Sequence, residues 1–170
     1  MSDYESLSEL MLIRKSRRGD VKAFSELYAR IHKDLYKFAL YTLKHPQDAE
    51  DAVSEAVISA YENLGMLRKE RSFRFWIFRI LSNQCKKRFR GREQIEVLEP
   101  EMAAPEKDYA ELHDVREAFG ILNVEERMIV AFSVFGGYQS GEIGSMMQQN
   151  PATIRSKKSR ALGKMRSVLE

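Results

Sequence analysis

A single cysteine, Cys85, leaves no partner for an internal disulfide and fits a reducing cytoplasm. The histidines, His32, His45 and His113, are scattered, and no His or Cys spacing suits a metal ion. No glycine-rich loop follows a strand pattern, so a cradle for nucleotide phosphates finds no support. These absences argue against an enzyme and against any cofactor. No apolar run approaches the roughly 20 residues that span a bilayer. The start, MSDYESLSEL, lacks the basic and apolar segments of a signal peptide. A soluble, cytoplasmic chain without membrane insertion is expected. The formal charge of +3 is too small to say much by itself, so what matters is where the charges lie.

They lie unevenly. Glu93, Glu96, Glu99, Glu101, Glu106, Asp108, Glu111, Asp114 and Glu117 face only Lys107 and Arg116, and two of the prolines, Pro100 and Pro105, fall in the same stretch. An acidic, proline-bearing segment without apolar periodicity reads as a linker over residues 93–110. It divides the 170 residues into two small domains, 1–92 and 111–170. Both read as helical, so the expected class is all-α.

In the first domain, Phe24, Leu27, Tyr28, Ile31, Leu35, Phe38 and Ala39 recur at three- and four-residue steps. After Pro46, Asp48 is expected to cap a helix whose buried face is Ala49, Ala52, Val53, Ala56, Val57, Ala60 and Leu64. Its alanines allow close helix–helix approach in a bundle. Asp51, Glu55 and Glu62 share another face, open to two readings: solvated surface charge, or a dock for a basic partner. The next helix, SFRFWIFRILSNQCKKRFRGR, has a core stripe of Phe73, Trp76, Ile77, Ile80 and Leu81. It also carries Arg74, Arg79, Lys86, Lys87, Arg88, Arg90 and Arg92 with no acid. Such cations neutralise phosphates, and aromatic faces stack on unpaired bases, although Trp76 reads first as core. Cys85 beside Lys86 and Lys87 is either a small packing element or a thiol activated by its neighbours.

In the second domain, Val115, Ala118, Phe119, Ile121 and Leu122 begin an amphipathic pattern. Glu125 and Glu126 open a helix that stops at Gly136 and Gly137. A short helix follows, with Ser140 as its expected cap, then a three-residue turn, then NPATIRSKKSRALGKMR. There Asn150 is a good N-cap and Pro151 suits the first helical position. This last segment holds six cations and no acid. Helix, short turn, basic helix is the helix-turn-helix layout, whose second helix enters the major groove. Ile143, Met146 and Met147 should pack beneath Ile154 and Leu162.

RRGDVKAFSELYARIHKDLYKFAL, DAEDAVSEAV, FRFWIFRILSNQ and EIGSMMQQNPATIRSKKSRAL, in this order, resemble an RNA polymerase sigma factor of the extracytoplasmic-function (ECF) type, in the sigma-70 family. The resemblance covers almost the whole chain. It implies a sigma-2-like bundle, a sigma-4-like helix-turn-helix domain, and a transcription initiation factor that guides core polymerase to promoters. It places Asp48, Asp51, Ser54 and Glu55 on the surface that docks on the β′ clamp coiled coil, with the β subunit also a partner. Arg79, Asn83, Lys86, Lys87 and Arg90 fall on the element that opens and reads the −10 motif, and residues 65–72 on the loop that receives a flipped base. Thr153, Arg155, Ser156, Lys157, Arg160 and Lys164 fall on the −35 reader, with Lys164 as a phosphate contact. An anti-sigma protein is a further partner that the resemblance allows.

The chain departs from the family pattern at a few places. Ser54 stands where glutamine is usual, Lys87 where aspartate is common, and Lys158 where an apolar residue packs. Gly144 and Ala152 exchange the usual small residues. The competing reading is an autonomous helix-turn-helix regulator. It accounts for the last helix but gives no role to the acidic face or to the aromatic-basic helix.

Overall fold

A computed structural model describes residues 3–68, 73–93 and 110–170, with the side chains of 90–93 and 110–113 left aside. The regular structure in these residues is helical: α1 (Glu9–Arg17), α2 (Val21–Leu43), α3 (Pro46–Glu62), α4 (Phe73–Glu93), α5 (Ala110–Gly120), α6 (Val124–Ala131), α7 (Ser140–Met147) and α8 (Pro151–Leu169). Short 3₁₀ turns lie at Asp3–Ser6 and Leu64–Met66. The acidic segment lies outside the described residues except at its ends, as do residues 69–72 of the flipped-base loop.

Local chemistry explains most boundaries. The Ser8 hydroxyl accepts from the Met11 N–H and the Asp20 carboxylate from the Ala23 N–H, capping α1 and α2. Lys44, at φ 65°, ends α2 in the left-handed conformation. Asp48 does not cap α3. Pro46 needs no N–H acceptor and starts the helix behind His45, which leaves Asp48 inside the first turn, where its charge suits the helix dipole. Ser140 is likewise the first residue of α7 rather than its cap, because Gln139 and Glu142 form a reciprocal capping box ahead of it. Asn150 caps α8 as expected, accepting from the Ala152 N–H at 2.8 Å.

Ala49, Ala52, Val53, Ala56 and Ala60 of α3 are buried, and α3 packs closely on α2 and α4. In α4, Phe73, Ile77 and Leu81 are buried as the pattern predicts, whereas Trp76 and Ile80 are half-buried. Phe78, outside the expected stripe, is fully buried because the second half of the chain covers it: Tyr138 meets it edge-on at 5.7 Å.

In the second half α5, α6 and α7 all pack on α8. Asn123 and Glu126 form the capping box of α6, and the helix then widens into a π turn, Phe132–Gly136. Helices α7 and α8 pack through Ile143, Met146, Met147 and Ile154, all buried, with Leu162 at the edge. Gly144, inside α7, is required where the turn folds back on the helix: a Cβ there would lie 2.5 Å from the Gln149 carbonyl oxygen.

The two halves meet on one continuous core. Phe38 of α2 meets Phe78 edge-on at 5.8 Å and Phe132 at 4.6 Å, and Tyr41 stacks on Phe135 at 5.1 Å. Polar contacts seal the seam. Arg74 donates to the Asp34 carboxylate (2.9 Å) and the Phe135 carbonyl (3.3 Å), and Arg127 donates to the Thr42 carbonyl (3.3 Å).

Candidate docking and nucleic-acid surfaces

Helix α3 turns its alanines inward, so the opposite face carries Asp51, Ser54, Glu55, Ile58 and Glu62. The side chains of Asp51 and Glu55 are about half exposed, at 46% and 51%. Gln47 donates to Asp51 at 3.1 Å. Arg88 reaches across from α4, bonds Glu55 and comes within 4.0 Å of Asp51. Its buried Nε has no hydrogen-bond partner. Asp48 is half-buried at the head of this face. Two features escaped the sequence reading. One is Arg88, whose tie to Glu55 spans 33 residues. The other is Ile58, 58% exposed in the middle of the acids, which the three-residue step from Glu55 could have revealed.

On α4, Arg79, Asn83 and Lys87 are exposed on a single stripe, with Lys86 half-buried beside them. Arg90 continues the same helical spacing, but its side chain lies outside the described ones. Arg74 and Arg88 are committed elsewhere, to the seam and to the acidic face. Cys85 is 1% exposed, and burial pushes its thiol up to about 12, with the Arg88 charge opposing. It holds no thiolate near neutral pH, so it is a packing element and not an activated thiol.

Helix α8 has three distinct flanks. Ile154, Ala161 and Met165 are buried. The flank toward α6 carries Lys157, which bonds Gln149 (2.9 Å) and Glu125 (2.5 Å), and Lys164, which bonds both oxygens of Glu126 (3.1 and 2.9 Å). The lysine hydrogen bond holds the Glu125 carboxyl below its ordinary value, against the effect of burial. Burial would push Glu126 up, but Lys164 and the Asn123 N–H outweigh it and leave that carboxyl lowered. Opposite the core runs an exposed ridge, Ala152, Ser156, Ser159 and Gly163, at the i, i+4, i+7, i+11 spacing. Arg155 flanks it on one side, Thr153 and Arg160 on the other, all exposed. Small side chains on the ridge let the helix backbone approach a surface closely, with arginines ready at both edges.

On the side of Arg155, α8 and the chain from the π turn into α7 enclose an open cleft of about 510 Å³. Tyr138 on its wall is 9% exposed, and its hydroxyl is turned inward, buried beside Arg74. Burial pushes this phenol up to about 12, with the nearby Arg74 opposing, so it remains protonated.

Residues 27–95 match the sigma-70 region 2 family. Over nearly its whole length the chain is similar to the ECF RNA polymerase sigma factor SigM of Mycobacterium tuberculosis, with 28% identity over 166 residues, 95% of this chain and 85% of SigM. The chain belongs to the extracytoplasmic-function sigma factors of the sigma-70 family. It is a transcription initiation factor that directs RNA polymerase to promoters. The ECF sigma factor SigW of Bacillus subtilis is 33% identical over 95 residues, 55% of this chain and half of SigW. Two solved structures share the fold of this sigma factor. CnrH in complex with the cytosolic domain of CnrY has a TM-score of 0.72 and 23% identity, covering 95% of this chain and 96% of CnrH. The sigma factor RpoE in complex with the anti-sigma factor NepR, from Bartonella quintana, has a TM-score of 0.74 and 22% identity, covering 87% of this chain and 97% of RpoE. No helix among the described residues is long and apolar enough to cross a membrane.

Proposed function

We propose that this sigma factor divides its work among three surfaces. The acidic face of α3, with Asp51 and Glu55 around Ile58, docks on the β′ clamp coiled coil of core polymerase. The stripe of Arg79, Asn83 and Lys87, with Lys86 beside it, engages the opened −10 strand. The ridge of α8 enters the major groove at the −35 element, where Arg155 and Arg160 reach base edges and Ser156 and Thr153 contact the strand. The observation that carries this reading is the α8 ridge of small residues between arginines, beginning at the helix N-terminus, the part of a recognition helix that reaches bases. Lys157 and Lys164 support the geometry of α8 through Glu125 and Glu126. The work is non-enzymatic and takes place in the cytoplasm, where polymerase and promoters are. NepR is named as the anti-sigma factor of its RpoE partner, and a protein of that kind is a fitting inhibitor here.

The test is promoter-specific transcription by the reconstituted holoenzyme across a library of −35 sequences. Arg155→Ala and Arg160→Ala should change which sequences are used, each costing about 1–3 kcal/mol at one base position. An equal loss on every sequence would remove α8 as the −35 reader. An autonomous regulator would bind its DNA without core polymerase, and a gel shift with and without core separates the two readings.

A further inference from the structure

The cations of α8 have different fates. Lys157 and Lys164 are held by the carboxylates of Glu125 and Glu126. Arg155 and Lys158, on the other flank, have no ion pair or hydrogen bond among the described residues. Both line the cleft against Ser133, Tyr138 and the chain through Ser140. No carboxylate lines that cleft. The nearest acid along the chain, Glu142, is turned to its own helix end, accepting from the Gln139 N–H at 3.0 Å. The remaining polar groups of the walls include the hydroxyls of Ser133 and Ser140. At Gly137 and Gly141 a Cβ would meet nothing within 4 Å, so the wall there is bare backbone open to an approaching group. Two uncommitted cations among hydroxyl donors, with no acid between them, form an oxyanion site.

We propose that this cleft is a phosphate site that holds the DNA backbone beside the groove entered by α8, with Lys158 as its principal ligand and Ser140 as a donor. The inference rests on the reading of α8 as the −35 helix and adds to it a backbone contact at a position where the family pattern has an apolar residue. Arg155 ties the two together, because it stands between the exposed ridge and the cleft. A strand whose bases lie on the ridge therefore has its phosphates over the cleft. The contact fixes the register of α8 on the duplex without reading sequence.

The experiment uses the reconstituted holoenzyme and measures promoter affinity against salt for the wild type, Lys158→Gln and Lys158→Arg. One phosphate contact contributes about 0.9 to the slope of log affinity against log salt. Lys158→Gln should lower the slope by about that amount and weaken all −35 sequences by the same factor, and Lys158→Arg should restore both. A neutral methylphosphonate placed along the −35 flank should weaken the wild type at one phosphate and cost Lys158→Gln nothing more there. A wild-type slope in Lys158→Gln would overturn the proposal. So would an unchanged slope accompanied by weaker binding of an acidic peptide, which would assign the cleft to a protein partner instead. Failure of the inference alone is recognisable, because Arg155→Ala and Arg160→Ala would still shift −35 preference. If the wild-type holoenzyme showed no −35 preference, the parent reading would fail.

Discussion

The two basic helices are alike in sequence and unlike in how the protein treats their charge. Each has cations tied to carboxylates of its own half. On α4, Arg88 is tied to Glu55 and Asp51, which are about half exposed and belong to the face proposed to dock on polymerase. On α8, Lys164 is tied to Glu126, which is 7% exposed and also closes the capping box of α6. The first tie is a surface pair that a basic partner can replace. The second belongs to the architecture that sets α8 in place. Equal charge in the sequence thus conceals an exchangeable contact and a structural one.

The sharpest way to break the comparison is to reverse the exposed acids. Asp51→Lys with Glu55→Lys should abolish co-purification with core polymerase, a loss of roughly a hundredfold or more where opposed charges become like charges. Helix content should be retained, because neither side chain is buried. Circular dichroism together with a pull-down reads both, and a double variant that still binds core would refute the dock. Next in size is the structural tie. Glu126→Ala removes the side-chain half of a capping box and leaves Lys164 unpaired, so it should cost about 1–3 kcal/mol of stability in thermal or urea melts. Because the folded-state carboxyl lies below its ordinary value of 4.5, its contribution is complete above that pH. The contribution disappears as pH falls through the lowered folded value. Glu126→Gln should therefore flatten this acid-side part of the stability curve.

Much of the fold was legible in local signals, and the exceptions share a cause. Asn150 with Pro151, the alanine face of α3 and the apolar triplet of α7 need only short-range pattern. The caps assigned to Asp48 and Ser140 failed because a better local solution, Pro46 in one case and the Gln139–Glu142 box in the other, began the helix earlier. Phe78 could not be placed from its own helix, since Tyr138 and the α2 ring that cover it lie 60 and 40 residues away. The candidate site follows the same division. The exposed stripe of Arg79, Asn83 and Lys87 follows from helical spacing. The commitment of Lys157, Lys164 and Arg88 to carboxylates does not, because each acid reaches its lysine or arginine only through tertiary packing.

A smaller effect is expected at Asn83. It is exposed between Arg79 and Lys87 and uncharged, so Asn83→Ala should leave polymerase affinity alone and reduce permanganate reactivity of −10 thymines several-fold. Unchanged reactivity would move the strand-contacting surface away from this stripe.

The smallest effect tests the exchangeable tie directly. A basic partner can take Glu55 and Asp51 only after Arg88 has released them, so the tie lowers docking affinity by whatever it contributes to the free protein. An ion pair at the surface contributes about 0–1 kcal/mol, which limits the gain from removing it to about fivefold. Arg88→Gln keeps most of the buried stem and removes the charge. It should tighten core binding modestly at low salt, and the gain should fade as salt screens the pair in the parent. The double variant Arg88→Gln, Glu55→Gln should show no such gain, because the carboxylate being freed is gone. If Arg88→Gln alone weakened core binding, Arg88 would be a contact offered to polymerase rather than a competitor for its site. The two basic helices would then be more alike than their ion pairs indicate.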